Sequence, residues 1–469
     1  MREVEDRATA GLVELLSDLA GRVSPAAREA ATALTQDFLG VAIAGSRTPE
    51  AVTLLHTVTK IGRGGPCSIP ASRNRFDAPT AALLTGTAGY SIGLTDTHAQ
   101  SITHPGPSVI PAALAVGEDL RKSGREVLDA IVLGYENVQR IGAVVNPSHR
   151  SRGFHPTATC NVFGAAAAVS RLLGLDRQRT AWALGLAGSM AGGLYEFRHE
   201  GAMLMALHGG LPAANGAFAA YLAADGFTGP TTVLEGSDGF FRAFADTTRP
   251  EMLLAESDHF GVEEVSLRPY CACRYAHAGI DALERLWTEH GRVSPSEVAE
   301  VTVFTHRTAV EQESEPNSVV GARLSTRFNI ALALLKGPRL SEISIDELAD
   351  PALTAIFDRT SVREDPALTA IFPAKWACRV RLRLASGEVW ERQVETPKGE
   401  PENPLTRQEI SEKFHRLAEP VVGPGGASRL EQAVAELYAA TDVGRVTAAM
   451  AGVEAVDVSQ LRELEGPSA

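Results

Sequence analysis

The chain has 469 residues, room for two or three domains, and its 44% apolar content is ample for large cores. A net charge of −13 with no basic stripe argues against nucleic acid as a partner. Five cysteines, few and odd in number, fit a reducing cytoplasm rather than a disulfide framework.

Residues 1–21 mix Arg2 and Arg7 with five acidic side chains, which is not the basic start and apolar run of a signal peptide. From there to about residue 245, Ala-rich apolar segments recur at helical spacing: Leu12–Leu19, Ala27–Ala44, Ala81–Tyr90, Val109–Leu120, Glu126–Ile141, Val162–Leu173 and Ala213–Ala224. Short Gly, Pro, Asp and Ser connections separate many of them. The stretch Ala202–Ala224 carries no Asp, Glu, Lys or Arg. Its His208, Pro212, Asn215 and glycines suit a buried helix entered through a Gly-rich turn better than a membrane span.

The character changes near Ser266. Ala276–Leu286 is helical, Val298–Thr305 is β-branched, and Cys378–Leu384 with Val389–Val394 alternate as a hairpin around Ala385–Glu388. Asp350–Phe357 recurs as Asp365–Phe372, two short helices each with an Asp cap and a Pro first residue. Thr406–Leu417, opened by a Thr-x-x-Glu capping box, Glu431–Tyr438 and Asp442–Met450 are further helices. The fold class expected is mainly α with a smaller α+β domain. Residues 1–265, completed by 404–455, form the helical domain; 266–398 form the α+β domain; 459–469 form a frayed tail.

Chemistry-bearing residues gather in five segments. Asp96-Thr97-His98-Ala99-Gln100-Ser101-Ile102-Thr103-His104-Pro105-Gly106 packs a carboxylate, hydroxyls and two imidazoles ahead of a helix-breaking Pro-Gly. Arg152–Thr159, with His155, precedes an Ala-rich helix whose N-terminus can hold an anion. Arg198–Gly201 is followed by Met205–Gly210, with His208. Arg268–His277 holds Tyr270, Cys271 and Cys273, and Arg323–Phe328 lacks a histidine. A carboxylate substrate calls for these groups, Arg for a bidentate grip and His for proton transfer. A lone histidine is more often a structural one; the recurrence of His beside Arg or a Gly-containing turn favours a site. Cys271-Ala272-Cys273 is not a zinc spacing, and no dinucleotide, Walker, H-E-x-x-H or G-x-S-x-G pattern appears. The expectation is acid–base chemistry with no cofactor and no metal.

These residues resemble the MmgE/PrpD family over nearly the whole chain. The resemblance rests on Asp96-Thr97-His98 with His104-Pro105-Gly106, Gly134-Tyr135-Glu136, Gly153-Phe154-His155-Pro156-Thr157, and Phe163-Gly164-Ala165-Ala166. It extends through Leu207-His208-Gly209-Gly210-Leu211-Pro212, Arg268-Pro269-Tyr270 to His277, and Pro397–Thr406. It implies a large all-helical domain with a smaller α+β lid, a homodimer, a site in the cleft between the domains, and lyase or isomerase chemistry on carboxylates without a cofactor.

Several positions depart from the family pattern. Gly93 stands where an acid is usual, and Thr95 where a second acid is common. Met205 replaces a lysine three residues before His208, Arg268 replaces the lysine of Lys-Pro-Tyr, and Phe328 replaces a frequent tyrosine; the Thr97-to-His104 spacing is one residue longer. A lost lysine means a less anionic or differently shaped substrate. The expected function is a lyase, dehydratase or decarboxylase, acting on a small carboxylate. The alternatives are an isomerase or epimerase working α to a carboxylate, and a degenerate family member that only binds. His104, His155, His277 and Thr97 are the expected catalytic residues. Asp96, His98, Met205, His208, Arg268, Tyr270 and Phe328 are the expected substrate contacts. Neither nucleic acid nor membrane is an expected partner.

Overall fold

The computed structural model describes residues 7–62, 64–338, 343–372 and 374–452. The frayed tail expected at 459–469 lies outside these. The chain divides into two units: 1–197 with 202–266 and 407–469, and 198–201 with 267–406. The second is thus an insertion into the first, with the short piece 198–201 assigned to it.

Unit 1 is built from α1 (Ala8–Ala20), α2 (Pro25–Gly45), α3 (Pro49–Ile61), α4 (Ala78–Ser91), α5 (Gly106–Asp119), α6 (Gly124–Val145), α7 (Pro156–Leu173), α8 (Arg177–Ser189) and α9 (Leu204–Ala224). Side-chain caps start many of them: Ser24, Thr48, Asp77, Asp176 and the Ser123–Glu126 capping box each satisfy a first-turn amide. Of these helices, α3 and α8 lie beyond the expected set; both carry polar, exposed residues. Two short strands, β1 (Cys67–Ser68) and β2 (Arg75–Phe76), pair antiparallel, an addition to a region that reads as all-helical.

Small residues let the central helices touch. A Cβ on Gly86 would lie 2.4 Å from Pro107 O and 2.9 Å from Gly210 Cα, and one on Gly210 would lie 2.1 Å from Leu83 O. The Gly209-Gly210 pair, expected as a turn, is therefore inside α9, where a missing side chain lets α4 and α9 approach backbone to backbone. The close packing this allows outweighs the propensity cost of about 1 kcal/mol per helical glycine. No helix among the described residues is long and apolar enough to cross a membrane.

Unit 2 carries a four-stranded sheet of order β4-β3-β5-β6, from β3 (Val298–Thr305), β4 (Thr360–Glu364), β5 (Cys378–Leu384) and β6 (Val389–Val394). β3 and β4 run parallel; β5 pairs antiparallel with both β3 and β6. Alternating buried residues Val380, Leu382 and Leu384 face α10 (Arg274–His290), which also packs against α11 (Thr326–Lys336). The duplicated octapeptides form short helices, Pro351–Asp358 and Pro366–Ile371, with Asp350 and Asp365 accepting at 2.9 Å from Ala352 and Ala367 amides. Between them lies β4, polar, short and at the sheet edge, which periodicity alone does not mark.

The chain then returns to unit 1 as α12 (Arg407–Ala435) and α13 (Gly444–Ala451). The helices expected at 406–417 and 431–438 are joined in α12, which kinks at Gly423 (φ +69°) between Pro420 and Pro424.

Candidate active site

The segment 93–106 is a pinned loop. It leaves α4 through Gly93 (φ +71°) and runs into α5 at Gly106. Thr97 exchanges both backbone hydrogen bonds with Ser266, and His98 pairs with Thr103. Both Asp96 carboxylate oxygens accept from the Gly106 amide at 3.1 Å, closing the loop on itself. Asn146 Nδ2 donates to Ser101 O at 2.8 Å. Ile102, at the tip, is held at φ +55°, a left-handed conformation costly for a β-branched residue.

This scaffold aims His104. Its Nδ1 is 2.6 Å from Asp96 O and 3.1 Å from Thr97 Oγ1. A carbonyl only accepts, so the neutral ring carries its proton on Nδ1, and Nε2 is the basic nitrogen. The main chain of His104 is fixed from both sides: its N–H donates to Thr157 Oγ1 at 3.2 Å, and Asn161 Nδ2 donates to its O at 2.7 Å.

Two more imidazoles lie in the same unit. His155, at the N-cap of α7, has Nδ1 2.9 Å from Nδ1 of His208 on α9. Its Nε2 is 3.3 Å from the Tyr90 hydroxyl of α4. The Tyr90 ring also lies beside His104, centroids 5.5 Å apart, so the loop 93–106, α4, α7 and α9 bring Thr97, His104, Tyr90, His155 and His208 together, through hydrogen bonds at every step but the His104–Tyr90 ring contact. Burial pushes His155 well below the ordinary histidine value, and the positive charges of His208, His104 and Arg150 add to that. Burial alone lowers His208 to about 4. Both are neutral near pH 7. Tyr195 meets the His155 ring edge-on at 4.9 Å, with the Arg150 guanidinium 3.6 Å over its own ring, and Phe197 closes a further side.

Tyr90, Tyr195 and Asn161 were missed in the sequence, where they sit in Ala- or Gly-rich runs that read as core or turn. His149 has the opposite character: Nδ1 bonds Phe244 O and Nε2 bonds Thr159 Oγ1, at 3.0 and 2.6 Å, among Phe154, Phe240 and Phe244. It is a structural histidine, held near pKa 4 by burial.

The other expected site residues fall differently. His98 spends its ring on the loop: Nδ1 contacts Ser101 Oγ at 2.8 Å, and Nε2 stands 3.8 Å from Glu264. Asp96 is a loop brace beside the buried Tyr135 hydroxyl, which its charge helps hold above the ordinary phenol value after burial itself. Met205 is half-buried on α9, one turn before His208.

In unit 2, the Tyr270 hydroxyl lies 2.5 Å from Asp281 and 2.7 Å from Glu284, both on α10. Burial and these two carboxylates raise its pKa well above the ordinary value, so the expected substrate contact is an internal brace. His277 Nε2 donates to Ala272 O at 3.0 Å, tying the start of α10 to the preceding loop. Arg268 is half-buried; its charge lowers the pKa of Arg274, a smaller effect than burial. Arg274 itself grips Glu400 through two bonds, at 3.0 and 2.5 Å, and covers the Trp376 ring at 4.1 Å. Phe328, another expected contact, is 3% exposed in the α11 core, its amide donating to the Ser325 cap. Burial pushes the Cys273 thiol up to about 11. No group of three or more metal-type side chains among the described residues is placed to hold an ion.

Two family models match the chain, the second running past unit 2 into α12. Residues 18–253 match the model of the MmgE/PrpD N-terminal domain, and 270–438 match that of the MmgE/PrpD C-terminal domain. The chain belongs to the MmgE/PrpD family. Among curated members, it is 27% identical to a cis-aconitate decarboxylase-like protein, oryM, of Aspergillus oryzae, over 96% of this chain and 98% of that one. It is 25% identical to a cis-aconitate decarboxylase of Aspergillus terreus, over 88% and 90% of the two chains. It is 26% identical to the Mus musculus cis-aconitate decarboxylase, over 81% and 80%. Within this MmgE/PrpD chain, His104, His155 and His208 fall in the N-terminal match, and Tyr270 and His277 fall in the C-terminal one.

Proposed function

We propose that this MmgE/PrpD member is a lyase that decarboxylates a small unsaturated carboxylic acid, with His104 as the proton carrier. The observation that supports it most is the contact chain Thr97–His104–Tyr90–His155–His208, in a chain that aligns with cis-aconitate decarboxylase-like proteins over nearly its full length. In the proposed reaction the carbon–carbon bond to one carboxylate breaks and carbon dioxide leaves. The electron pair stays on the substrate skeleton, where the adjoining unsaturated acid spreads its charge. His104, protonated at Nε2, delivers a proton to carbon, and a proton from solvent recharges the ring. The neutral His155–His208 pair and Tyr90 orient the substrate and keep water out.

Met205 puts a thioether where a lysine is usual in the family, so the preferred substrate carries fewer carboxylates than cis-aconitate. Met205→Lys is expected to improve binding of tricarboxylates; no gain would sink that specificity reading. The reaction is tested by proton NMR in D2O, with cis-aconitate, 2-methylcitrate, citrate, iminodisuccinate and simpler unsaturated acids. Carbon dioxide release with one deuterium fixed at carbon is the expected result. New vinyl signals without carbon dioxide mean dehydration, and deuterium exchange on an unchanged skeleton means an isomerase. Silence across the panel counts against turnover of this substrate class.

We also propose a homodimer. Phe218 and Phe227, at the end of α9 and just beyond it, are 51% and 60% exposed, large apolar groups that a second copy would cover. Light scattering showing a monomer would refute it.

A further inference from the structure

Helix α12 reaches the candidate active-site loop through a buried lysine. Lys413 Nζ donates to Leu94 O at 2.8 Å and pairs with Asp37 Oδ1 of α2 at 2.7 Å. Both side chains are almost wholly buried, 3% and 2% exposed. A buried ammonium is expensive unless paired and hydrogen-bonded, and a buried carbonyl needs a donor. Lys413 meets both needs at once.

Its surroundings are polar across several elements. Arg416, one turn further along α12, adds a second positive charge near Asp37. On the other side, Asp37 and Asp96 both act on the buried Tyr135 hydroxyl of α6. Asp96 in turn accepts from Gly106 N, and its own carbonyl orients His104 Nδ1. The direct link from α12 to the loop is Lys413, which grips it two residues before Asp96.

We infer that Lys413 is a positioning residue: from α12 it fixes Leu94 O and, through the short peptide from Leu94 to Asp96, the carbonyl that sets the His104 tautomer. This rests on the His104 reading above. The segment gains this role because the chain comes back to unit 1 after unit 2. Its effect on turnover comes from alignment: a displacement on the order of 1 Å at a catalytic group costs about 100-fold.

Folding and positioning are separated by comparing Lys413→Met with Asp37→Leu/Lys413→Met. The single change strands a buried carboxylate, so it is expected to unfold more easily; the double change removes both charges and is expected to regain most of the lost thermal stability. Positioning is not regained, because Leu94 O still lacks its donor. In the double variant kcat is expected to fall at least tenfold, with KM within about threefold. In 15N-histidine-labelled protein the His104 signals should move from a single Nδ1–H tautomer towards a mixture. Lys413→Arg, which keeps a cation and a donor, should recover part of both effects.

Wild-type kcat and an unchanged His104 spectrum in the double variant would overturn the inference. Should the double variant not fold, Lys413→Arg decides: a tautomer mixture no different from that of Lys413→Met overturns it too. If the wild-type protein turns over nothing in the panel, the proposed reaction fails, yet the His104 spectrum still tests the role of Lys413.

Discussion

Two histidine-bearing regions share a composition and differ in use. In unit 1 the loop 93–106 and the helix starts of α7 and α9 aim imidazoles at one another and at hydroxyls, with the Asp96 carbonyl fixing the tautomer of His104. In unit 2 the segment Arg268–His277 offers Arg, Tyr and His in similar density. There Tyr270 is taken by Asp281 and Glu284, Arg274 by Glu400 and Trp376, and His277 Nε2 by Ala272 O. The difference teaches that residue type nominates a site, whereas the neighbours decide whether its groups serve chemistry or the fold.

The comparison breaks most visibly at His104. His104→Ala is expected to cost about 10²–10⁴-fold in kcat, the usual worth of a general acid–base group, with the melting temperature little changed. Turnover of the variant at wild-type rates would move the chemistry elsewhere. In unit 2 the corresponding cut should show in stability instead. Arg274→Ala takes away the bidentate guanidinium bonded to the buried Glu400 and should destabilise unit 2 by about 3–5 kcal/mol in urea unfolding.

Tyr270→Phe is smaller, about 1–3 kcal/mol, because it removes the buried hydroxyl that lies between Asp281 and Glu284. A change in KM at unchanged stability would return the Tyr270 hydroxyl to the substrate.

Acid sharpens the contrast within unit 1. His149 and His208 are lowered to about 4 by burial, below the unfolded value of about 6.5. Their contribution is intact above about pH 6.5 and is lost as pH falls towards 4, since the unfolded chain takes up protons first. His415 has the opposite sign. Burial pulls it down, but its bonds to Glu431 and Glu419 outweigh that and hold it above the ordinary value. Its stabilisation is complete below about pH 6.5 and fades as pH rises through the raised value. Urea midpoints measured at pH 5, 7 and 9 should therefore show a steeper acid side, which His208→Gln flattens, and an alkaline decline, which His415→Gln removes.

The smallest effect is at the loop tip. Ile102→Gly relieves a left-handed β-branched residue and should stabilise by about 1 kcal/mol. A loss instead would mean that the Ile102 side chain, 38% exposed, packs more than its backbone strains.

Much of this architecture is written locally. Periodic Ala-rich runs determine the unit 1 helices, alternation determines the β5–β6 hairpin, and Asp-Pro starts determine the twin short helices, because each depends on neighbours within a few residues. The candidate site was legible to the extent that a carboxylate, hydroxyls and two imidazoles crowd one loop ahead of Pro-Gly. What tertiary structure alone decided is the use of those groups. Gly209-Gly210 became helix because α4 lies against it, a contact between residues more than a hundred positions apart. His98 came to stand 3.8 Å from Glu264, far along the chain. Tyr90 joined the histidines, and Lys413 reached Leu94 across 319 positions. No local pattern encodes such pairings: a buried polar group takes whatever partner the packed chain brings to it, and that is fixed only when the helices close.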